Sequence, residues 1–213
     1  MALEHPAEVN EQWDDPHQER TAAHLGMWVF LSTEVLFFGV LFASYTIARM
    51  RMPEAFAEAS GHNEMVAGII ETSVLLTSTF TISLAVRYIG RDRVLLSQIF
   101  LILTILSGLA FLAIHCWEYD KHYREHLIPG LGFDFQGHRP REVEMFFFLY
   151  YVMTGFHLLH VTIGVVLLIV MSVLMGKGKL SSRYHTPLEN TGLYWHFVDV
   201  VWMFLFPLFY LVS

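Results

Sequence analysis

Five stretches of this 213-residue chain are long and apolar enough to cross a lipid bilayer: residues 24–48, 65–89, 94–117, 145–175 and 191–212. A hydrocarbon core of roughly 30 Å takes about 20 helical residues to span. Inside lipid every backbone N–H and C=O must find its partner within the segment or around a closed barrel. Barrel strands alternate polar and apolar residues over about 10 positions, and these runs are longer and continuously apolar. The expected fold is therefore all-α, an integral membrane bundle of five transmembrane helices. Composition agrees, with 54% hydrophobic and 15% charged residues, against about 25% charged in a typical soluble domain.

The boundaries are drawn by charge, glycine and proline. Arg49, Arg51 and Pro53 close the first run; Arg87, Arg91, Asp92 and Arg93 turn the chain between the second and third; Gly176, Lys177, Gly178 and Lys179 end the fourth. The fourth run is the longest and is expected to tilt or to extend past the bilayer. Residues 1–23 read as a polar, acidic N-terminal segment, and residues 24–213 as the five-helix domain. That segment is the reverse of a basic secretory leader, so insertion is expected to be directed by the first span. Five spans place the two termini on opposite sides. Arg20, Arg87, Arg91, Arg93, Lys177, Lys179 and Arg183 fall on one side, mostly in two short loops; Arg49, Arg51, Lys121, Arg124, Arg139 and Arg141 fall on the other. Short loops weigh most in the positive-inside rule, so the N-terminus is expected in the cytoplasm and the C-terminus outside. A formal net charge of -7 argues against nucleic acid as a partner, and a single cysteine, Cys116, excludes an internal disulfide framework.

The functional signal lies in polar residues inside the spans, where a charge at the bilayer centre costs at least about 2.5 kcal/mol. Glu34 sits about ten residues into the first run, roughly 15 Å deep at ~1.5 Å per residue. Glu71 opens the second run ahead of a Ser/Thr-rich stretch, and the third ends in HCWEYDKHYREH. Thr154, His157, His160 and Gly164 form one stripe on the fourth, while His196 and Asp199 stand three apart on the fifth between Trp195 and Trp202. His115, Glu118, His122 and His126 are expected to share a face of the third. Depth divides these groups into two polar layers, one of Glu34, His157, His160 and Asp199 and one of Glu71, His115 and Glu118.

Each group has a chemical and a structural reading. His157 and His160 are three residues apart on one helix, so they cannot supply both axial positions of a haem, and interhelical hydrogen bonding is favoured. Glu34 is either a proton-relay carboxyl or a hydrogen-bonded tie between helices. His115 with Glu118 makes half of a carboxylate-bridged metal site, but no second Glu-x-x-His motif completes it, and a structural bond is favoured. Trp28, Trp117, Trp195 and Trp202 are expected as interfacial or lipid anchors. The residues give no catalytic, cofactor-binding or metal-ligating assignment.

The motifs STEVLFFG, ETSVLLTST, TGFHLLHVTIG and YWHFVDVVWMFLF resemble, in order and over nearly the whole chain from the first span onward, those of the cytochrome c oxidase subunit III family. The resemblance implies a non-catalytic integral subunit of a terminal haem-copper respiratory oxidase, which reduces oxygen to water and translocates protons. Haem and copper are then expected in partner subunits, with none bound by this chain, and phospholipid as a ligand. The implied partners are subunit I directly, subunit II, further respiratory subunits and membrane lipid, in the inner membrane of a bacterium. Glu34 matches the family's buried reactive glutamate, His157 and His160 its paired histidines, Glu118 the glutamate before the long loop, and Trp195, His196, Asp199 and Trp202 the last-helix motif. Two departures stand out. The first two of the family's seven helices are missing, so the chain resembles the shorter five-helix form. Glu71 also stands where asparagine is common, so its role cannot be carried over. Two other readings stay open: an accessory subunit of a nitric-oxide-reducing complex, and a standalone membrane cytochrome or proton-conducting protein.

Overall fold

The structure, a computed structural model, describes residues 16–211 apart from 131, 132, 136, 138 and 183. Residues 1–15 of the acidic segment, and Arg183 among the basic loop residues, lie outside the described residues. The elements are α1 Pro16–Arg51, α2 Pro53–Ser60, α3 Met65–Ile89, α4 Val94–Arg124, α5 Pro140–Gly176 and α6 Thr186–Tyr210. All except α2 are long and apolar enough to cross a membrane. They overlap the five expected spans: α3 has the expected bounds, α1, α4 and α5 run further, and α6 starts earlier and ends at Tyr210. α1 begins eight residues before the expected start at 24, and α4 continues seven past the expected end at 117, because polar residues continue a helix readily once it leaves lipid.

Proline and chain reversal set the ends. Pro53 starts α2 directly after α1, and proline also occupies the first turns of α5 and α6, where its missing N–H has no helical partner to lose. α4 and α5 close with the same pattern. Beyond α4, His126 and Leu127 donate backbone hydrogen bonds to Tyr123 and His122; beyond α5, Gly178 and Lys179 donate to Met175 and Leu174. The reversing residue has φ 71 at Gly178 and φ 57 at His126. This left-handed cap suits glycine and is occupied by histidine on α4. His126 is therefore exposed and does not share the buried face of His115, Glu118 and His122, because the helix has already ended.

α3 packs on α4, α4 on α5, α5 on α6 and α6 back on α3, a closed four-helix ring. α1 leans on the outside of α6 and α5, and only 11% of its most apolar window is buried. The short α2 had no counterpart in the expected spans. It buries Ala55, Phe56, Ala59 and Ser60 against α5, with Phe56 edge-on to Phe146 and Tyr45.

Small residues let the ring close. The indole of Trp195 lies over Gly108 of α4 and Gly164 of α5; a Cβ at 108 would stand 2.7 Å from Trp195 Cη2, and one at 164 would stand 2.8 Å from its Cε3. Without hydrophobic drive between helices in lipid, this close van der Waals approach holds the bundle. Trp195 and Trp202 are 0% and 1% exposed. Both are core residues and not the interfacial anchors expected, because each indole N–H finds an oxygen on α3: Ser78 Oγ at 2.9 Å and Thr72 Oγ1 at 3.1 Å. Trp28 and Trp117 are exposed.

The ends of the bundle are tied differently. At one end Tyr45 donates to the Leu208 carbonyl, and Ser60 and Asn63 donate to that of Phe209 at 2.9 and 3.0 Å, satisfying the last carbonyls of α6 that have no helical partner. At the other end Arg20 donates two bonds to Glu189, at 2.9 and 3.1 Å, and Ser182 donates to Asp92 at 3.2 Å. The first described residues and the C-terminal end of α6 thus lie at opposite ends.

Candidate polar sites within the bundle

Among the described residues, three junctions gather the carboxyl groups buried between the spans. The largest lies where α3, α4, α5 and α6 converge. Glu71 Oε1 of α3 lies 3.2 Å from His115 Nδ1 of α4, and Glu118, one helical turn further along α4, has its Oε2 3.8 Å from the same nitrogen. All three side chains have no exposure. Tyr150 of α5 donates to Glu118 Oε2 at 3.0 Å, Tyr210 of α6 donates to the same oxygen, and the backbone N–H of Glu64 reaches Oε1 at 3.4 Å. Beside them Tyr119 and Thr154 share a hydroxyl contact of 2.6 Å. His122, also fully buried, has neither ring nitrogen partnered and lies among Phe147, Tyr150 and Tyr151.

The second junction is a pair between α1 and α5. Glu34 Oε2 stands 3.1 Å from His160 Nε2, and His160 Nδ1 lies 2.7 Å from the Phe156 carbonyl. A carbonyl only accepts, so Nδ1 carries a hydrogen. The contact at Nε2 then holds one proton, either as a carboxylic acid donating to a neutral ring or as an imidazolium donating to a carboxylate. The proton count and zero net charge are the same in both forms. Phe38 stacks edge-on against the His160 ring at 5.2 Å.

The third junction joins α3 and α6. Thr79 donates to Asp199 Oδ2, with Ser78 Oγ 3.4 Å away. Ser78 also receives the Trp195 indole N–H. His196, three residues before Asp199, is half-buried and faces Ser83 at 3.3 Å.

His157 was expected beside Glu34 and His160. It instead stacks on Trp202 at 5.4 Å and meets Phe111 edge-on at 5.6 Å, and the same two rings flank His115. His157 therefore belongs with the Glu71–His115–Glu118 junction, and it makes no interhelical hydrogen bond: both nitrogens lack a partner. The stripe on α5 diverges because three residues turn a helix by 300°, which leaves His160 60° away from His157. Tyr150 and Tyr210, which close the large junction, were not among the anticipated residues, although Tyr150 stands four residues before Thr154 on the same stripe of α5. A fourth polar group, also not anticipated, gathers Arg20, His24 and His185 around Glu189 at 2.9, 3.3 and 3.3 Å.

The comparisons with known proteins bear on the whole chain. The family described as Cytochrome c oxidase subunit III matches residues 143–213, which cover nearly all of α5 and all of α6. The chain is 33% identical over 201 residues to Cytochrome c oxidase subunit 3 of Thermostichus vulcanus, across 94% of this chain and 92% of that one. It is 29% identical over 189 residues to Probable quinol oxidase subunit 3 of Staphylococcus epidermidis, across 89% and 88%. It is also 33% identical over 208 residues to Heme-copper oxidase subunit I+III of Aeropyrum pernix, across 95% of this chain but 24% of that longer protein.

Proposed function

This chain belongs to the cytochrome c oxidase subunit III family, and from that premise we propose that it is a non-catalytic subunit of a terminal haem-copper oxidase. The observation that carries this reading is the match over 92% of a subunit 3 with that name. The haems and copper reside in the partner subunits, and this chain stabilises subunit I and supports proton uptake. A relative whose name joins subunits I and III in one polypeptide favours subunit I as the direct neighbour, with subunit II further away. The names of the relatives include both cytochrome c and quinol oxidases, so the electron donor is set by the partner subunits. The complex sits in the inner membrane of a bacterium, with the N-terminal end of the bundle cytoplasmic. Arg87 in the last turn of α3, with Arg91, Arg93, Lys177 and Lys179 in the loops of that end, favours this orientation. Phospholipid lines the open face of α1, where Leu25, Leu36, Val40 and Met50 project outward.

The Glu34–His160 pair is the proton-handling element of this reading, and Glu34→Gln in the assembled oxidase tests it. Glutamine keeps the volume and donates to His160 Nε2 but cannot release a proton. The variant complex is expected to assemble with unchanged haem content and to take up protons more slowly during turnover, read with a pH indicator beside oxygen consumption. Proton uptake equal to wild type limits the pair to a packing role.

A further inference from the structure

The three ligand-type groups of the largest junction are arranged more closely than a tie between helices requires. Glu71, His115 and Glu118 each place one ligand atom within 4.8 Å of the other two. His115 Nδ1 is 3.2 Å from Glu71 Oε1 and 3.8 Å from Glu118 Oε2. A tetrahedral ion with bonds of about 2.0–2.1 Å holds neighbouring ligand atoms about 3.4 Å apart, so the two distances fall on either side of one edge of that polyhedron. The charges also match. Two carboxyl groups that release their protons on binding a divalent ion neutralise it in full. The cation nearest along the chain, Lys121, is engaged elsewhere, bonded to Glu64 and 3.8 Å from Glu125.

A second observation is independent of the cluster's composition. Glu71 Oε2 has no exposure and no hydrogen-bond partner, although buried polar atoms are nearly always partnered. His115 engages Oε1 alone, so the second oxygen is a buried acceptor with free coordination capacity. The surroundings suit a metal centre as well. Tyr150 and Tyr210 orient the Glu118 carboxylate, as outer hydrogen bonds do for metal ligands. A cleft lined by Glu64, Ala67, Ile70, Ile114 and Trp117 opens between α3 and α4.

The geometry points to a divalent-cation site of the zinc class held by Glu71, His115 and Glu118, with a fourth position for water. The ion would be redox-inert and would lock α3 to α4, while the tyrosines carry that rigidity to α5 and α6. Glu71 and His115 supply the two ligands contributed in addition to the glutamate that matches the family motif. The site stands or falls independently of the oxidase assignment.

The test uses the full chain in mild detergent, loaded with zinc chloride, freed of loose metal by gel filtration and assayed by elemental mass spectrometry. Wild type is expected to retain zinc in stoichiometric amount. Glu71→Gln and His115→Gln, with helix content checked by circular dichroism, are expected to retain about 10-fold less or lower, and Glu34→Gln to retain it fully. X-ray absorption at the zinc edge should show oxygen and nitrogen neighbours with a single imidazole, a readout that needs no variant. Wild type without retained zinc overturns the proposal. So does equal retention by wild type and a folded Glu71→Gln chain, or a zinc shell with two or more imidazoles, because either result means an adventitious ion only, on exposed histidines.

Discussion

Glu118→Ala lowers the stability of the bundle by about 2–5 kcal/mol, as measured by helix content through an SDS titration. The side chain accepts hydroxyl bonds from Tyr150 of α5 and Tyr210 of α6 and a backbone N–H from Glu64, so one carboxyl joins α4 to two other helices. Interhelical hydrogen bonds in membranes are worth about 0.6–2 kcal/mol. Alanine also leaves two buried hydroxyls without acceptors, at about 1–3 kcal/mol each, and the estimate follows from combining partial versions of both. Glutamine retains an acceptor oxygen and the volume, so Glu118→Gln should lose less than half as much. Tyr210→Phe made in the Glu118→Ala background should recover stability, because it removes an orphaned hydroxyl. An equal loss for alanine and glutamine would place the effect in charge and not in acceptor geometry.

Trp195→Ala has the second large effect, about 3–5 kcal/mol, the range for deleting a fully buried aromatic ring. The ring fills the space above two glycines on two helices and donates its N–H to Ser78. The same geometry reverses a common rule. Glycine to alanine in an open helix gains about 1 kcal/mol, but at Gly108 the added methyl would stand 2.7 Å from Trp195 Cη2 and 2.8 Å from Val165 Cγ2. Gly108→Ala should therefore destabilise by about 1–3 kcal/mol, the usual cost of overpacking. In a Trp195→Phe background the penalty should shrink. Additive effects of the two substitutions would show that the ring and the glycine do not meet as described.

The spans were legible because lipid imposes one rule on every residue of a helix, and the runs of apolar residues record it directly. Their ends were less legible. α1 extends back to Pro16 and α4 on to Arg124, since outside the bilayer a polar helix and a polar loop have similar composition. α2 was missed because eight residues with apolar positions at Ala55, Phe56 and Ala59 are too few to register as a span.

The buried polar residues were legible as individuals, since a carboxylate or imidazole in an apolar run stands out. Their partners depend on helix rotation and crossing, which periodicity within one helix does not fix. Glu34 and His160 meet across α1 and α5, and Asp199 meets Thr79 across α6 and α3. Depth puts His157 in one layer with Glu34 and His160, but depth does not fix rotation, and the structure turns its ring onto Trp202. The tryptophans failed for a related reason. Indole is amphipathic, which suits a membrane interface, but an oxygen supplied by a neighbouring helix serves as well, and Ser78 and Thr72 provide it. Glu71 illustrates the limit of resemblance: it stands where the resemblance makes asparagine common, and its pairing with His115 is visible only when α3 and α4 are brought together.

The most direct test of the central assignment is isolation of the tagged chain from its native membranes in mild detergent, with an optical spectrum and identification of the proteins that accompany it. The account predicts a larger many-helix haem-containing partner, and on dissociation the haem should leave with that partner while this chain remains colourless. A chain that comes out alone and retains a haem spectrum would contradict the account, because its own histidines would then be ligands.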